Sequence, residues 1–134
     1  MAANAAAVKA LPPYAELLKL RVEQGPDGPL WTMPFHDDVV GRPGYLHGGA
    51  TAGLLEFAAL GTLFEALGEE EVRAKPVNVA VQFLRGGIDS DTFAAASITR
   101  LGKRVANIEA HAWQADRSKP IASAQMNVLL KRAQ

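Results

Sequence analysis

The chain has 134 residues, 49% of them hydrophobic and 21% charged, with Lys plus Arg equal to Asp plus Glu at 14 each and no cysteine. That length suits one domain with a real core, and that composition excludes a disordered chain. Charge neutrality argues against nucleic acid as a partner, and the missing cysteines exclude disulfides, thiolate nucleophiles and cysteine-held metals.

The start, MAANAAAVKALPPY, lacks the charged opening and sustained apolar core of a signal peptide. It reads as a flexible lead-in over residues 1–11 to a single domain spanning 1–134. No uncharged apolar run reaches the ~18 residues of a membrane span, so no membrane partner is expected and a cytoplasmic location is the default. Pro12 and Pro13 ahead of YAELLKL predict a short helix over about 13–20. RVEQGPDGPLWTMPF predicts two strand pieces around a GPDG turn, with Trp31, Met33 and Phe35 alternating along the second. Residues 36–46 read as loop, punctuated by Gly41, Pro43 and Gly44. His36, Asp37 and Asp38 cluster in it, but no other ligand stands at metal spacing, so a solvated loop is the better reading and no metal is expected.

From His47 to about Leu67 the composition predicts one long helix, apolar on nearly every side and therefore covered on nearly every side. Gly68 is a fair stop, and Glu69, Glu70 and Glu71 form a solvated run. The hydrophobic period then shortens from 3.6 to 2. Val77, Val79, Val81 and Phe83 are expected to share one strand face. A second strand follows over Asp91 to Arg100. In RVANIEAHAW the small and apolar residues Ala106, Ile108, Ala110 and Ala112 alternate, and in PIASAQMNVLL so do Ala122, Ala124, Met126, Val128 and Leu130. Gly86-Gly87, Gly102-Lys103 and Asp116-Arg117-Ser118 supply the turns. One antiparallel sheet around one long helix is an α+β arrangement.

Within the long helix a single acid, Glu56, interrupts "GYLHGGATAGLLEFAAL", and no basic residue stands near it to pair with it. Either it sits on a solvent-facing edge, or it is held inside and poised for reaction. His47 opens the same helix beside Gly48 and Gly49. It is a capping residue, or part of a site where free helix-start amides receive developing negative charge and the glycines let a carbonyl approach. His47 and Glu56 are nine residues apart, about 2.5 turns and roughly 13 Å along the axis, on nearly opposite sides. One helix cannot bring both to one carbonyl. Two antiparallel helices from two copies can, which implies a symmetric dimer with two shared sites. There is no GxSxG elbow, no HExxH and no dinucleotide-binding glycine run. Arg85, Lys103, Arg104, Lys119, Lys131 and Arg132 stand at strand ends, as phosphate contacts or as surface charge.

The stretch GYLHGGATAGLLE resembles the signature of hotdog-fold acyl-coenzyme A thioesterases, close to the phenylacetate-degradation and hydroxybenzoyl-coenzyme A branch. Gly44, Leu46, His47, Gly48, Gly49 and Glu56 fill its positions, and the likeness runs over about residues 28–131. The resemblance implies a helix from about 48 to 67 wrapped by a sheet of roughly five or six strands. It implies a homodimer pairing its sheets edge to edge, and a homotetramer as a dimer of dimers. The Gly48 amide would polarise the thioester carbonyl, with His47 orienting that loop or touching the thioester. Glu56 of the partner would be general base on water, or nucleophile giving an anhydride. Gly49, Asn78, Phe83, Arg85, Lys103 and Arg104 would contact the acyl-coenzyme A, and no cofactor is needed. Leu55, Phe57, Phe64 and Phe83 are candidate acyl-pocket liners. Gly41 stands where many relatives carry Asn, and Pro76 stands near a relative's Ser or Thr, with Asn78 as a substitute if strand parity allows. The alternatives are a noncatalytic acyl-coenzyme A binder and an enoyl or hydroxyacyl thioester hydratase.

Overall fold

A computed structural model describes residues 11–132, so the expected lead-in lies, apart from Leu11, outside the described residues. Helix α1 (Pro13–Leu17) starts with Pro at its first turn, where the missing N–H costs nothing. It stops earlier than its composition suggests because Lys19 turns to φ 59, a left-handed conformation. Strands β1 (Arg21–Gly25) and β2 (Gly28–Met33) form the expected hairpin, with Gly28 taking the φ of 119 that closes the turn. Then come α2 (Gly48–Leu67), β3 (Val72–Phe83), β4 (Thr92–Leu101), β5 (Val105–Trp113) and β6 (Ala122–Arg132). All strand pairs are antiparallel, in one six-stranded sheet of order β1-β2-β4-β5-β6-β3.

The sheet curls around α2. Its concave face is built largely of small residues, Ala94, Ala106, Ala110, Ala112, Ala122 and Ala124, all buried, with Ile108, Met126 and Val128 among them. Small side chains in the sheet let a thick helix face approach, and Leu54, Leu55, Ala58 and Leu63 fill the space. Each fully buried leucine contributes about 1.5–3 kcal/mol relative to exposure. On the flank of the helix, glycine is a packing requirement. A Cβ on Gly61 would lie 2.7 Å from Trp31 Cζ2, and one on Gly53 would lie 2.9 Å from Tyr14 Cε2. Phe57 stands between those rings, 6.3 Å from Tyr14 and 6.0 Å from Trp31 by centroids. By length and composition α2 would also suit a bilayer, yet it is the core helix of this sheet.

The helix is not covered on every side within one chain. Gly49, Ala52, Glu56, Leu60 and Phe64 lie along one stripe at helical spacing, and none of them is fully buried; Phe64 is 53% exposed.

Strand β3 departs from the expected alternation. Its pairing with β6 slips between Pro76 and Asn78, leaving Val77 as an unpaired β-bulge, 62% exposed. Val72, Ala74 and Pro76 pair with inward residues of β6 before the bulge, and Val79, Val81 and Phe83 do so after it. Val77 therefore does not share the face of Val79, Val81 and Phe83. The segment 36–46 is also more ordered than a solvated loop. His36 is largely buried: its Nε2–H donates to the Leu18 carbonyl at 3.0 Å, and its Nδ1 accepts from the Asp38 amide at 3.3 Å. It ties the end of α1 to a 3₁₀ turn, Asp37–Val39. Among the described residues no group of three or more His, Cys, Asp or Glu side chains is placed to hold a metal.

Candidate active site

The start of α2 is fixed by local bonds. The His47 amide donates to the Val39 carbonyl at 2.8 Å, and the Leu46 amide to the Gly87 carbonyl at 3.0 Å. His47 is the N-cap, in extended conformation, and its Nδ1 accepts from the Gly49 amide at 2.9 Å. That bond places the ring proton of neutral His47 on Nε2, facing outward from an exposed side chain. So His47 does cap the helix, and the cap leaves its Nε2–H free to donate. The Gly49 amide is consumed by the cap. The Gly48 amide has no protein acceptor among the described residues. It is the first orphan donor of a 20-residue helix, at the positive end of its dipole.

Gly48 borders a cleft of about 300 Å³ lined by Leu46, Thr51, Phe83, Leu84, Arg85 and Gly86, among others. The Phe83 ring lies against Gly48: a Cβ there would meet Phe83 Cζ at 3.3 Å. Thus the end of β3 and the start of α2, far apart in sequence, close around one free amide. Of the expected site residues, Gly48, Phe83 and Arg85 line this cleft, and His47 and Gly49 adjoin it. Thr51 is a lining residue that sequence reasoning left unassigned. It follows Gly48 by three positions, a spacing that puts both on one side of a helix. Its buried hydroxyl reaches the His47 carbonyl at 3.5 Å.

Five expected residues lie elsewhere. Glu56 is half-buried on the open stripe of α2, forms no ion pair among the described residues and does not line its own chain's cleft. Asn78 points away from α2, because the bulge at Val77 reverses parity. There its Oδ1 accepts from Asn127 Nδ2 at 2.9 Å, and Asn127 Oδ1 accepts from Asn107 Nδ2, forming an asparagine ladder across β3, β6 and β5. Lys103 and Arg104 sit at the β4–β5 turn, where the Arg104 carbonyl accepts from the Leu130 amide. The cleft residue Ile121 stands at the other end of β6, nine residues and roughly 30 Å away. Leu55 is fully buried in the core, so it lines no open pocket.

Gly41 has a steric reason. A Cβ there would meet His47 Cα at 3.0 Å and the Leu46 carbonyl oxygen at 3.2 Å, so a side chain would require this loop backbone to give by a few tenths of an ångström. Near Arg85, the Asp116 carboxyl is held below its ordinary range, chiefly by hydrogen bonds from the Ser118 hydroxyl and amide, with Arg85 adding a smaller pull.

This geometry offers a lone amide donor, a neutral imidazole N–H and an arginine around an open cleft, which suits an acyl carbonyl with a charged handle. Comparisons agree with that chemistry. The family described as acyl-CoA thioesterase N-terminal domain matches residues 37–129, from the 3₁₀ turn to β6. A solved structure from Chromobacterium violaceum is 34% identical with a TM-score of 0.79, over 99% of this chain and 93% of that one. A conserved protein from Pseudomonas aeruginosa is 21% identical with a TM-score of 0.81, over 90% and 95% of the two chains. A Bacillus halodurans protein solved with CoA is 20% identical with a TM-score of 0.80, over 99% and 87%. The last two likenesses speak to the fold alone. No curated protein matches the chain. The six-stranded sheet around one helix, the capped glycine amide and the family match together place this chain in the acyl-CoA thioesterase family, as a hotdog-fold thioester hydrolase.

Proposed function

We propose that the chain works as a symmetric dimer in which each site takes its amide from one subunit and its carboxylate from the other. The carrying observation is the open stripe of α2. It leaves Glu56 unpaired on the uncovered side of the helix, about 12 Å along the axis from the amide of Gly48. A second α2 running antiparallel across that stripe brings Glu56 of each helix to the start of the other. The outer edge of β3 is free for edge-to-edge pairing, since β3 ends the sheet beyond β6.

In that site the Gly48 N–H receives the thioester oxygen as it gains negative charge. His47, whose Nε2–H the cap leaves free, serves as a second donor or orients that loop. Glu56 of the partner takes a proton from water as its oxygen attacks the carbonyl carbon, or attacks the carbon itself to give an anhydride that water then opens. Either way the C–S bond breaks and coenzyme A leaves as a thiolate, a good leaving group that needs modest activation. Antiparallel pairing of β3 with its copy also carries the sheet end bearing Lys103 and Arg104 toward the partner's cleft, where they reach phosphates. Two such dimers associate as a tetramer.

Complementation tests the sharing. Gly48→Pro removes the N–H and sets ring atoms against Phe83, at a first-turn position where proline is compatible with helix and where His47 already has ψ 132. Glu56→Gln removes the base. Each homodimer should lose turnover by about 100-fold or more across a panel of acyl- and aryl-coenzyme A thioesters, read as free-thiol release. Co-expressed, the two should recover about a quarter of wild-type activity, because each mixed dimer holds one intact site. A mixture as inactive as its parents would end the shared-site reading. Binding without turnover by the wild type would make the chain an acyl-coenzyme A binder.

A further inference from the structure

We infer that the turn Arg42–Tyr45 is the seat of the purine-nucleotide handle of the thioester substrate, an inference that rests on the hydrolase reading above. The Tyr45 amide donates to the Arg42 carbonyl at 2.8 Å, and Gly44 has φ 82 behind Pro43. That is a type II turn with proline and glycine at the positions it demands. It is closed from outside as well. The Gly41 amide donates to the Tyr45 carbonyl at 2.9 Å, Val40 pairs with Leu46, and Tyr45 pairs with Ile88. The turn lays the Arg42 guanidinium over the Tyr45 ring at 5.2 Å, and this stack is preformed and exposed, with Tyr45 45% open to solvent.

Its place relative to the cleft is fixed by Gly86. A Cβ there would stand 3.7 Å from Tyr45 Cδ1, so the ring edges the residue that lines the cleft next to Arg85. A continuous path therefore runs from the Gly48 amide, past Phe83 and Leu84, to Arg85 and then to the Arg42–Tyr45 stack. Arg42 forms no ion pair among the described residues. A flat heteroaromatic base extends such a stack of guanidinium and phenol, and the N–H edges of Arg42 and Arg85 take phosphates. The cleft takes the apolar and amide arm between base and sulfur. In the same chain Lys103 and Arg104 lie at the far end of β6 and cannot serve this path.

The test compares one acyl group on two carriers, coenzyme A and N-acetylcysteamine, the second lacking the nucleotide. For Arg42→Ala and Tyr45→Ala, the ratio of kcat/KM on the coenzyme A thioester to kcat/KM on the short thioester should fall about tenfold. Tyr45→Phe keeps the ring and should restore the ratio. Damage to the fold or to the catalytic amide moves both substrates together and leaves the ratio at its wild-type value, which would overturn the assignment. If the wild type turns over neither thioester, the hydrolase reading fails on its own. Calorimetry with adenosine 3′,5′-bisphosphate then decides the seat. Binding weakened about tenfold by Arg42→Ala supports it, and binding unchanged by Arg42→Ala, or absent in the wild type, refutes it.

Discussion

The two sides of α2 obey different rules. One side carries Leu54, Leu55, Ala58 and Leu63, all sealed against alanine-rich strands. The other carries Ala52, Glu56, Leu60 and Phe64, with an acid where the first side has only hydrocarbon. The sealed side is bound by volume, so any change in size is felt by the fold. The open side tolerates a polar group because its own sheet never closes over it. A helix can thus hold the chain together with one face and offer chemistry with the other, provided that what covers the second face comes from a second molecule.

Substitutions on each face separate these roles. The largest effect on stability belongs to the sealed face: Leu54→Ala should cost about 2–5 kcal/mol in urea unfolding, from lost transfer and the cavity left behind. Turnover per folded molecule should stay close to wild type. Glu56→Gln should do the reverse, removing about 100-fold or more of turnover, roughly 2.7 kcal/mol of barrier, while the unfolding midpoint hardly moves. A large stability loss in that variant would mean the acid is structural. On the flank between the faces, Gly61→Ala should cost about 1–3 kcal/mol by overpacking, since the new Cβ would stand 2.7 Å from the Trp31 ring. Pairing it with Trp31→Phe should recover part of that loss, as measured by a double-mutant cycle.

The smallest expected effect lies off the helix altogether and calibrates the others. His111 faces away from α2, stacks on Trp113 at 5.2 Å and accepts from Arg117 Nε at 3.4 Å. Burial first, and the Arg117 charge second, hold its pKa below the ordinary 6.5. The unfolded chain therefore binds the proton more readily, so stability is full above pH 6.5 and is lost as pH falls from there toward the folded pKa. Thermal unfolding across that window should show the slope, and His111→Gln should flatten it.

What the sequence made legible follows from periodicity. A helix of 3.6-residue period and strands of period 2 leave strong marks, so α2, β4, β5 and β6 fall close to their expected places. The His-Gly-Gly start and Glu56 were legible for a similar reason, as polar breaks in an apolar run. The parity of β3 was not. Val77-Asn78-Val79 is good strand sequence in either register, and one unpaired residue leaves no mark in such a pattern, so the face of Val77 was misplaced and the parity on which Asn78 depended stayed open. Nor does composition say at which end of a sheet a basic residue falls. Arg85 and Lys103 look alike in sequence, yet only the first lies at the end where β3 meets α2. Phe83 was expected at the site, but its contact with Gly48 depends on the β3–β6 register and on the curl of the sheet, both of which are long-range.

The slip at Val77 absorbs one surplus residue of β3, so that Pro76 before it and Val79 after it both stand opposite inward residues of β6. Drawing that one valine back into the ladder would leave a strand of good composition and unbroken pairing, yet every later residue would slip by one position and Val79, Val81 and Phe83 would turn outward together. The aromatic wall beside Gly48 would vanish without any residue of the site having been altered.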